Sequence, residues 1–195
     1  LVTVVSFIIL TISSIASAET QGIATTKKVE SILEQFPDKF PKAVAFAVNR
    51  SLAMTKTEQM RRTAAMYTVA RGKLAESINV FNASPGNLMG KITSKGGMIG
   101  LDHFKLNPKT RRKTMVSAVV KKGEGGDLPN AFIAYSDGRL GAFTRETGKS
   151  LPIKRRVGPS APQMLGELSI LDYLQGFMEE KFNMRIDHEL GRILG

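Results

Sequence analysis

The sequence predicts an α+β fold, in which a long N-terminal helix and a C-terminal helix pack on a small antiparallel β-sheet. Residues 42–79 contain no proline and only one glycine, whereas residues 88–157 are divided into short apolar runs by Gly, Pro, Asn and Asp. Residues 168–194 return to helical spacing. Strands this short and this close together indicate an antiparallel meander and not a parallel sheet with helical crossovers.

Residues 1–26 are predicted to form an N-terminal arm, for which two interpretations stay open. Val2–Leu10 is apolar and mostly β-branched, which favours a strand. The small residues Ala16-Ser17-Ala18 after it are typical of a signal-peptide cleavage site, although no Lys or Arg precedes the apolar run. An apolar-leaning segment of about fifteen residues is shorter than the roughly 20 that a membrane span needs, so no membrane association is predicted.

Helices are predicted over residues 27–80, at the start of a single domain that covers residues 27–195. Lys27–Phe36 has apolar side chains at i, i+3, i+4 and i+7, which describe one helical face that Pro37 ends. The chain after it is predicted to form one long helix, or two helices with a bend near Gly72.

The β-meander is predicted over residues 88–157. Ser136-Asp137-Gly138-Arg139 between two apolar runs is the strongest hairpin signal. Gly123–Gly126 is predicted to be a flexible hairpin tip, and Gly158–Pro162 a stiff bend. The strand-like runs are Leu88–Ser94, Met98–Leu106, Thr114–Lys121, Ala131–Tyr135, Leu140–Arg145 and Leu151–Val157.

The C-terminal helix, residues 168–194, combines an apolar stripe with acidic side chains. Such a helix is suited to contact between subunits or with a partner protein, because its stripe extends along the whole predicted length. The stripe residues that we predict to make this contact are Phe177, Phe182, Ile186 and Leu190.

The charge of the chain is concentrated in its middle. The 195 residues include 28 Lys and Arg against 17 Asp and Glu, a net charge of +11. Residues 59–160 carry +13 and residues 161–195 carry −3, so a basic middle and an acidic end are able to pair head to tail between subunits. The predicted contacts with DNA in a ring lumen or with an acidic partner are Arg111, Arg112, Lys113, Lys121 and Lys122.

The composition excludes several chemistries. Without cysteine there is no disulfide, thiol nucleophile or iron–sulfur cluster, and two histidines give little material for a metal site or a catalytic triad. Gly123–Gly126 lacks the Lys-Ser/Thr pair of a phosphate loop. Asp102-His103, placed in a predicted strand, has no third group to form an acid–base site. The sequence therefore predicts no enzyme, no metal and no cofactor.

A nucleic-acid-binding function is the main alternative. Phe132, Tyr135 and Phe143 alternate with polar residues in the predicted sheet, as aromatic side chains that stack on bases do. No recognisable nucleic-acid-binding motif accompanies them, so packing in the core is the favoured use. A weak interaction with the phosphate backbone would suffice to explain the surplus of cations.

Three segments carry a resemblance to a known family. They run from Asp127 to Ala134, from Gly141 to Lys154 and from Val157 to Leu165, in the order P-x-A-F-I, a short hairpin, R-x-x-G-K-x-x-P-I and G-P-S-x-P-Q-M. An earlier segment, Pro41–Arg50, reads P-x-A-x-A-x-A-[IV]-N-R. This pattern resembles the phage minor tail protein Z family, over roughly residues 27–195.

The resemblance implies a non-enzymatic virion protein at the junction of head and tail, made in the host cytoplasm. Such a protein forms a ring, usually of six copies, that completes the tail and joins it to the head connector. Its implied partners are other copies, the connector or adaptor ring, the tail tube or its terminator, and genomic DNA that passes through the lumen without sequence specificity. A non-specific nucleic-acid-binding protein, and a secreted helper protein if the N-terminal arm is cleaved, are the other hypotheses.

Overall fold

The computed structural model describes residues 34–111, 115–136 and 138–194. The predicted N-terminal arm, and most of the helix predicted over Lys27–Phe36, lie outside the described residues. The described chain forms two compact units. We call Gln59–Ile78 with Ser94–Ile170 the sheet unit, and residues 34–58, Asn79–Thr93 and 171–194 the helical unit. The single domain over residues 27–195 stays a prediction.

The α+β fold class is confirmed. Helices α1 (Lys39–Met66), α2 (Arg71–Ser77), α3 (Ala161–Leu165) and α4 (Leu168–Leu194) flank short strands. The described strands are β1 (Ile78–Phe81), β2 (Lys91–Ser94), β3 (Met98–Gly100), β4 (Lys105–Asn107), β5 (Val116–Lys121), β6 (Glu124–Leu128), β7 (Ala131–Ser136), β8 (Arg139–Arg145), β9 (Ile153–Arg155) and β10 (Val157–Ser160).

The strands form several small sheets and not the one meander that the sequence predicts. Within the described residues the strand orders are β1-β2, β10-β3, β4-β5-β6 and β7-β8-β9. The run Met98–Leu106 is interrupted by a 3₁₀ helix, Leu101–His103, which separates β3 from β4. This interruption divides one expected strand between two sheets.

Helix α1 ends at Met66, before the bend that was predicted near Gly72. Tyr67 instead forms an isolated bridge with Lys121, and the Thr68 N–H donates to the Val120 carbonyl. The Thr68 hydroxyl donates to the Val119 carbonyl and accepts the Lys105 N–H at 3.1 Å. Tertiary hydrogen bonds therefore override helical propensity here, and Gly72 lies inside the separate helix α2.

The prediction that Gly123–Gly126 forms a flexible hairpin tip is wrong for most of the segment, which joins β5 to β6. Gly123 has the positive φ of 86° that a tight turn requires. Glu124–Leu128 is a paired strand, in which Ala118 lies opposite Gly126 and Val116 opposite Leu128. Only the first glycine of the predicted flexible tip therefore lies in a turn.

The β7–β8 hairpin forms where it was predicted. Ser136 pairs with Arg139, and Gly138 between them has a φ of 72°. One face of the hairpin enters the core through Ile133 and Ala142, which are both buried. The predicted bend over Gly158–Pro162 is strand β10 followed directly by α3.

Helix α3 begins with a capping box. The Ser160 N–H donates to Gln163 Oε1 at 2.8 Å, and the Gln163 N–H donates to Ser160 Oγ at 3.4 Å. These two bonds satisfy backbone donors at the start of a helix of only five residues.

The helical unit is built on the apolar side of α1. Its buried side chains include Val44, Val48 and Leu52 on α1 and Leu174 and Met178 on α4. Gly90 lies so close to α1 that a Cβ there would overlap Leu52 Cδ1. The Asn49 amide on α1 also bonds the loop after β1, since it donates to the Ala83 carbonyl at 2.9 Å and accepts the Ala83 N–H at 2.7 Å.

Candidate interaction surfaces

Three of the five predicted basic contact residues, Arg111, Lys121 and Lys122, are described, and they lie on and beside strand β5. Arg111 is exposed in the loop before the strand, while Arg112 and Lys113 lie outside the described residues. Lys121 lies at the end of β5, with its ammonium 4.0 Å from the Glu124 carboxylate. DNA contact by this cluster stays a prediction.

Lys122 has a structural partner that the sequence did not reveal. Its ammonium donates to the Ala64 carbonyl at 2.8 Å, and its backbone N–H donates to the Met66 carbonyl at 2.8 Å. These carbonyls belong to the last turn of α1, where no helical N–H is left to bond them. A contact between the Lys122 ammonium and DNA would have to compete with this bond.

The predicted contact stripe of α4 is half-buried. Phe177, Phe182, Ile186 and Leu190 share this intermediate exposure. The Phe177 ring stacks on Tyr173 with ring centroids 5.9 Å apart, and the Lys181 ammonium lies 5.3 Å from the Phe177 centroid. Of the four predicted contact residues, Phe177 therefore already packs against other side chains of α4.

The three aromatic residues of the nucleic-acid alternative do not form one stacking surface. Phe132 and Phe143 are paired across β7 and β8, with centroids 6.3 Å apart, but Phe143 is only 5% exposed. The Arg145 guanidinium lies 4.7 Å from the Phe132 centroid. Tyr135 is 66% exposed and, by strand alternation, projects from the opposite face of the sheet.

The sequence predicts that Asp102 and His103 lie in a strand, but the structure places both residues in the 3₁₀ helix Leu101–His103. The Arg155 Nη2 donates to Asp102 Oδ1 at 2.7 Å, and His103 Nε2 lies 3.5 Å from Asp102 Oδ2. Asp102 therefore links the 3₁₀ helix to β9, and this arrangement explains why a Cβ at Gly100 would clash. Sequence reasoning missed Arg155 because it lies 53 residues from Asp102.

A groove in the sheet unit is the structural feature that the sequence did not indicate. It is an open groove of about 460 Å³ over the face that carries Ala118 and Gly126. The charged residues among its lining are Glu124, Asp127 and Arg156, of which Asp127 alternates with Gly126 along β6. Its apolar lining comprises Leu101, Ala118, Val120, Leu128 and Val157. Residues from four separate parts of the chain meet here, so no local pattern predicts the groove.

The described part of the chain has no cluster of three or more His, Asp or Glu side chains that would suit a metal ion. None of the helices within 34–111, 115–136 and 138–194 combines the length and the apolar character that crossing a membrane demands. No protein-family model matches the chain, and no similar curated protein or solved structure was found. The resemblance to phage minor tail protein Z therefore stays a hypothesis that rests on its motifs.

Proposed function

We propose that this chain is a structural, non-enzymatic protein of a phage neck, which assembles with itself into a ring, completes the tail and joins it to the head connector. The observation that carries the proposal is the motif block over residues 127–165. In the fold, this block supplies β7, β8, β9, β10 and α3 in sequence. The motif residues Ser160 and Gln163 form the capping box of α3, so a physical requirement underlies those two positions.

The distribution of charge supports the ring proposal. The sequence ranges of the sheet unit, 59–78 and 94–170, contain 18 basic and 7 acidic residues. The described residues of the helical unit contain 8 of each. A ring that turned its sheet units toward the lumen would surround DNA with cations, which interact with any sequence through the phosphates.

The assembly state tests the proposal directly. Purified protein, alone and mixed with tail tubes and connector rings, would be measured by light scattering and imaged by electron microscopy. We expect closed rings, of about six copies as the family resemblance implies, because head-to-tail contacts end in a ring when the rotation between copies closes. Monomers alone, under every one of these conditions, would contradict the proposal.

The basic cluster is tested by charge reversal. Arg111→Glu, Arg112→Glu and Lys113→Glu together should reduce head–tail joining while the melting temperature stays near that of the wild type. The matched control reverses three exposed cations elsewhere, Lys42, Arg50 and Arg71. Equal joining by both triple variants would show that the cluster is an ordinary solvated surface.

The second candidate function is direct, non-specific binding of nucleic acid. It is favoured by exposed cations on and beside β8 and β9, namely Arg139, Arg145, Lys149, Lys154 and Arg156. Binding to duplex DNA would be titrated at several salt concentrations, since the slope of log K against log salt is about −0.9 for each phosphate neutralised. Tight binding at physiological salt would support this function, and binding that disappears there would leave only electrostatics in a lumen.

A further inference from the structure

We propose that residues 145–154, which we call the arm, bind the minor groove of duplex DNA. In this contact Leu151 enters the groove, while Arg145 and Lys149 reach the phosphates along its edges. The inference rests on the second candidate function, the binding of nucleic acid, and deepens it by naming the groove and the residues that contact it. The arm lies wholly within the sheet unit.

The arm is a loop between β8 and β9 that is closed at its base. Each of the residues 145–154 is exposed. Arg145 and Ile153 form the last pair between the two strands, and just beyond them the Glu146 N–H donates to the Pro152 carbonyl at 3.2 Å. The two ends of the loop are therefore held together, and its side chains are available to a partner.

The arm presents two cations that no carboxylate neutralises. Its one acidic residue is already used, since the Lys154 ammonium lies 3.8 Å from the Glu146 carboxylate. Neither Arg145 nor Lys149 has an ion-pair partner within the described residues. The Arg145 guanidinium lies 4.7 Å from the Phe132 ring centroid, a contact that orients the cation and leaves its charge available.

The arm also carries apolar surface that its own fold leaves uncovered. Leu151 is 68% exposed and Ile153 is 36% exposed. Apolar side chains between cations fit a surface with anionic edges and a less polar floor. The minor groove of duplex DNA is such a surface, because phosphates border it and its width of about 6 Å admits a side chain. Proteins that bind there combine Arg or Lys with apolar side chains.

Two other polyanions fit the arm less well. Single-stranded nucleic acid is held by aromatic side chains that stack on its bases, and residues 145–154 include none. The nearby Phe132 ring is covered by the Arg145 guanidinium. An anionic membrane needs a large apolar face or a lipid chain in addition to cations, and the arm offers one largely exposed leucine. Duplex DNA is therefore the partner that the arm favours.

The first test removes the apolar group and keeps the charge. Binding to a labelled, A·T-rich duplex would be followed by fluorescence anisotropy over a series of salt concentrations. Leu151→Ala should raise the Kd at least about fivefold and leave the salt dependence unchanged, because burial of an apolar group releases no counterions. Leu168→Ala is the control and should bind as the wild type does, since Leu168 is 76% exposed in the same unit but outside the arm.

The second test removes charge from the arm. Lys149→Gln and Arg145→Gln should each make the slope of log K against log salt less negative by about 0.9, the value for one phosphate contact. Lys42→Gln, which removes an exposed cation from the helical unit, should leave the slope unchanged. Melting temperatures would show that each variant is folded.

The third test identifies the groove and the form of the nucleic acid. A dye that occupies the minor groove should displace the wild type from the duplex. The single strand of the same sequence should bind more weakly, because its charge density is lower and it has no groove. Vesicles of phosphatidylcholine and phosphatidylserine should also bind the protein more weakly than the duplex does.

The outcomes separate this inference from the functions on which it draws. A wild type that does not bind the duplex even at low salt would overturn both the arm and the second candidate function, while the proposed ring, which microscopy tests, would stand. If the wild type binds but the arm variants match their controls, or the dye displaces nothing, the arm is wrong and nucleic-acid binding stands. Tighter binding to the single strand or to vesicles would equally overturn the contact with duplex DNA.

Discussion

Two neighbouring glycines in β6 have opposite roles. A Cβ on Gly125 would lie 2.6 Å from Val119 Cγ2, whereas one on Gly126 would meet open space. We expect Gly125→Ala to lower the free energy of unfolding by about 1–3 kcal/mol, since the stiff Val119 side chain has to move. Gly126→Ala should leave it unchanged or raise it by up to about 1 kcal/mol. Urea unfolding of both variants checks the difference, which equal values would contradict.

Tyr67 gives the sheet unit a pH-dependent hydrogen bond. Its hydroxyl donates to Glu167 Oε2 at 3.0 Å. Burial, together with this bond and the negative charges of Glu167 and Glu124, raises the pKa of Tyr67 to about 12 from its ordinary value of 10.0. The folded state therefore holds this proton more tightly than the unfolded state. The stabilisation is complete below pH 10 and is lost as the pH rises through about 12.

We predict that Tyr67 makes the stability of the protein depend on pH between pH 10 and about 12. The wild type should lose on the order of 2 kcal/mol of stability between pH 10 and 12 through this group. Tyr67→Phe should lose less over the same range, after an initial loss of about 1 kcal/mol at pH 8 from the missing hydrogen bond. Urea midpoints at each pH, with tyrosinate absorbance to follow ionisation, provide the comparison. Identical pH slopes for the two proteins would contradict the assignment.

At the scale of elements, a single amide connects α1 to the loop after β1. Asn49 satisfies both the N–H and the carbonyl of Ala83, and Ala83 is itself buried. Asn49→Ala should lower the free energy of unfolding by about 2 kcal/mol, because it leaves two backbone groups unpaired. Asn79→Ala, at an exposed position of β1, is the control and should change it by less than about 0.5 kcal/mol. A similar loss in both variants would show that these hydrogen bonds add no stability.

The elements also show what local sequence is able to predict. Helix α4 occupies the predicted residues, Leu168–Leu194, because its apolar spacing continues along its full length. Strand β6 was missed because Glu-Gly-Gly-Asp has no apolar alternation, and its pairing with β5 alone makes it a strand. The end of α1 and the Asp102–Arg155 pair depend on residues more than 50 positions apart. The groove combines such distant contacts, so neither it nor its lining was predictable.

At the scale of the whole molecule, the net charge belongs to one unit. The 18 basic and 7 acidic residues of the sheet unit repel one another on balance, while the described helical unit is neutral. Salt screens repulsion between exposed charges over about 10 Å at 0.1 M. We therefore expect the thermal stability of the protein to rise when salt is added to a dilute buffer.

Substitutions that each remove one lysine charge test whether the salt effect on stability arises in the sheet unit or in the helical unit. Lys109→Gln in the sheet unit should raise the melting temperature in low salt and lose that advantage as salt is added. Lys42→Gln in the helical unit, which is also exposed, should change little at any salt concentration. Calorimetry of both variants across a salt series measures the effect, and an equal gain from the two substitutions would show that the repulsion is not confined to the sheet unit.

The end of α1 has a consequence for the chain during its synthesis. The carbonyl of Val120, which accepts the Thr68 N–H, lies 52 residues further along the chain than Thr68. A ribosome therefore releases the whole of α1 before the residues that stop it have been made. In that interval the Val120 carbonyl is not yet present to accept the Thr68 N–H, so we expect helical structure to be able to continue through Tyr67–Ala70. We therefore expect the break between α1 and α2 to form late, once β5 has left the ribosome and its Val120 carbonyl accepts the Thr68 N–H.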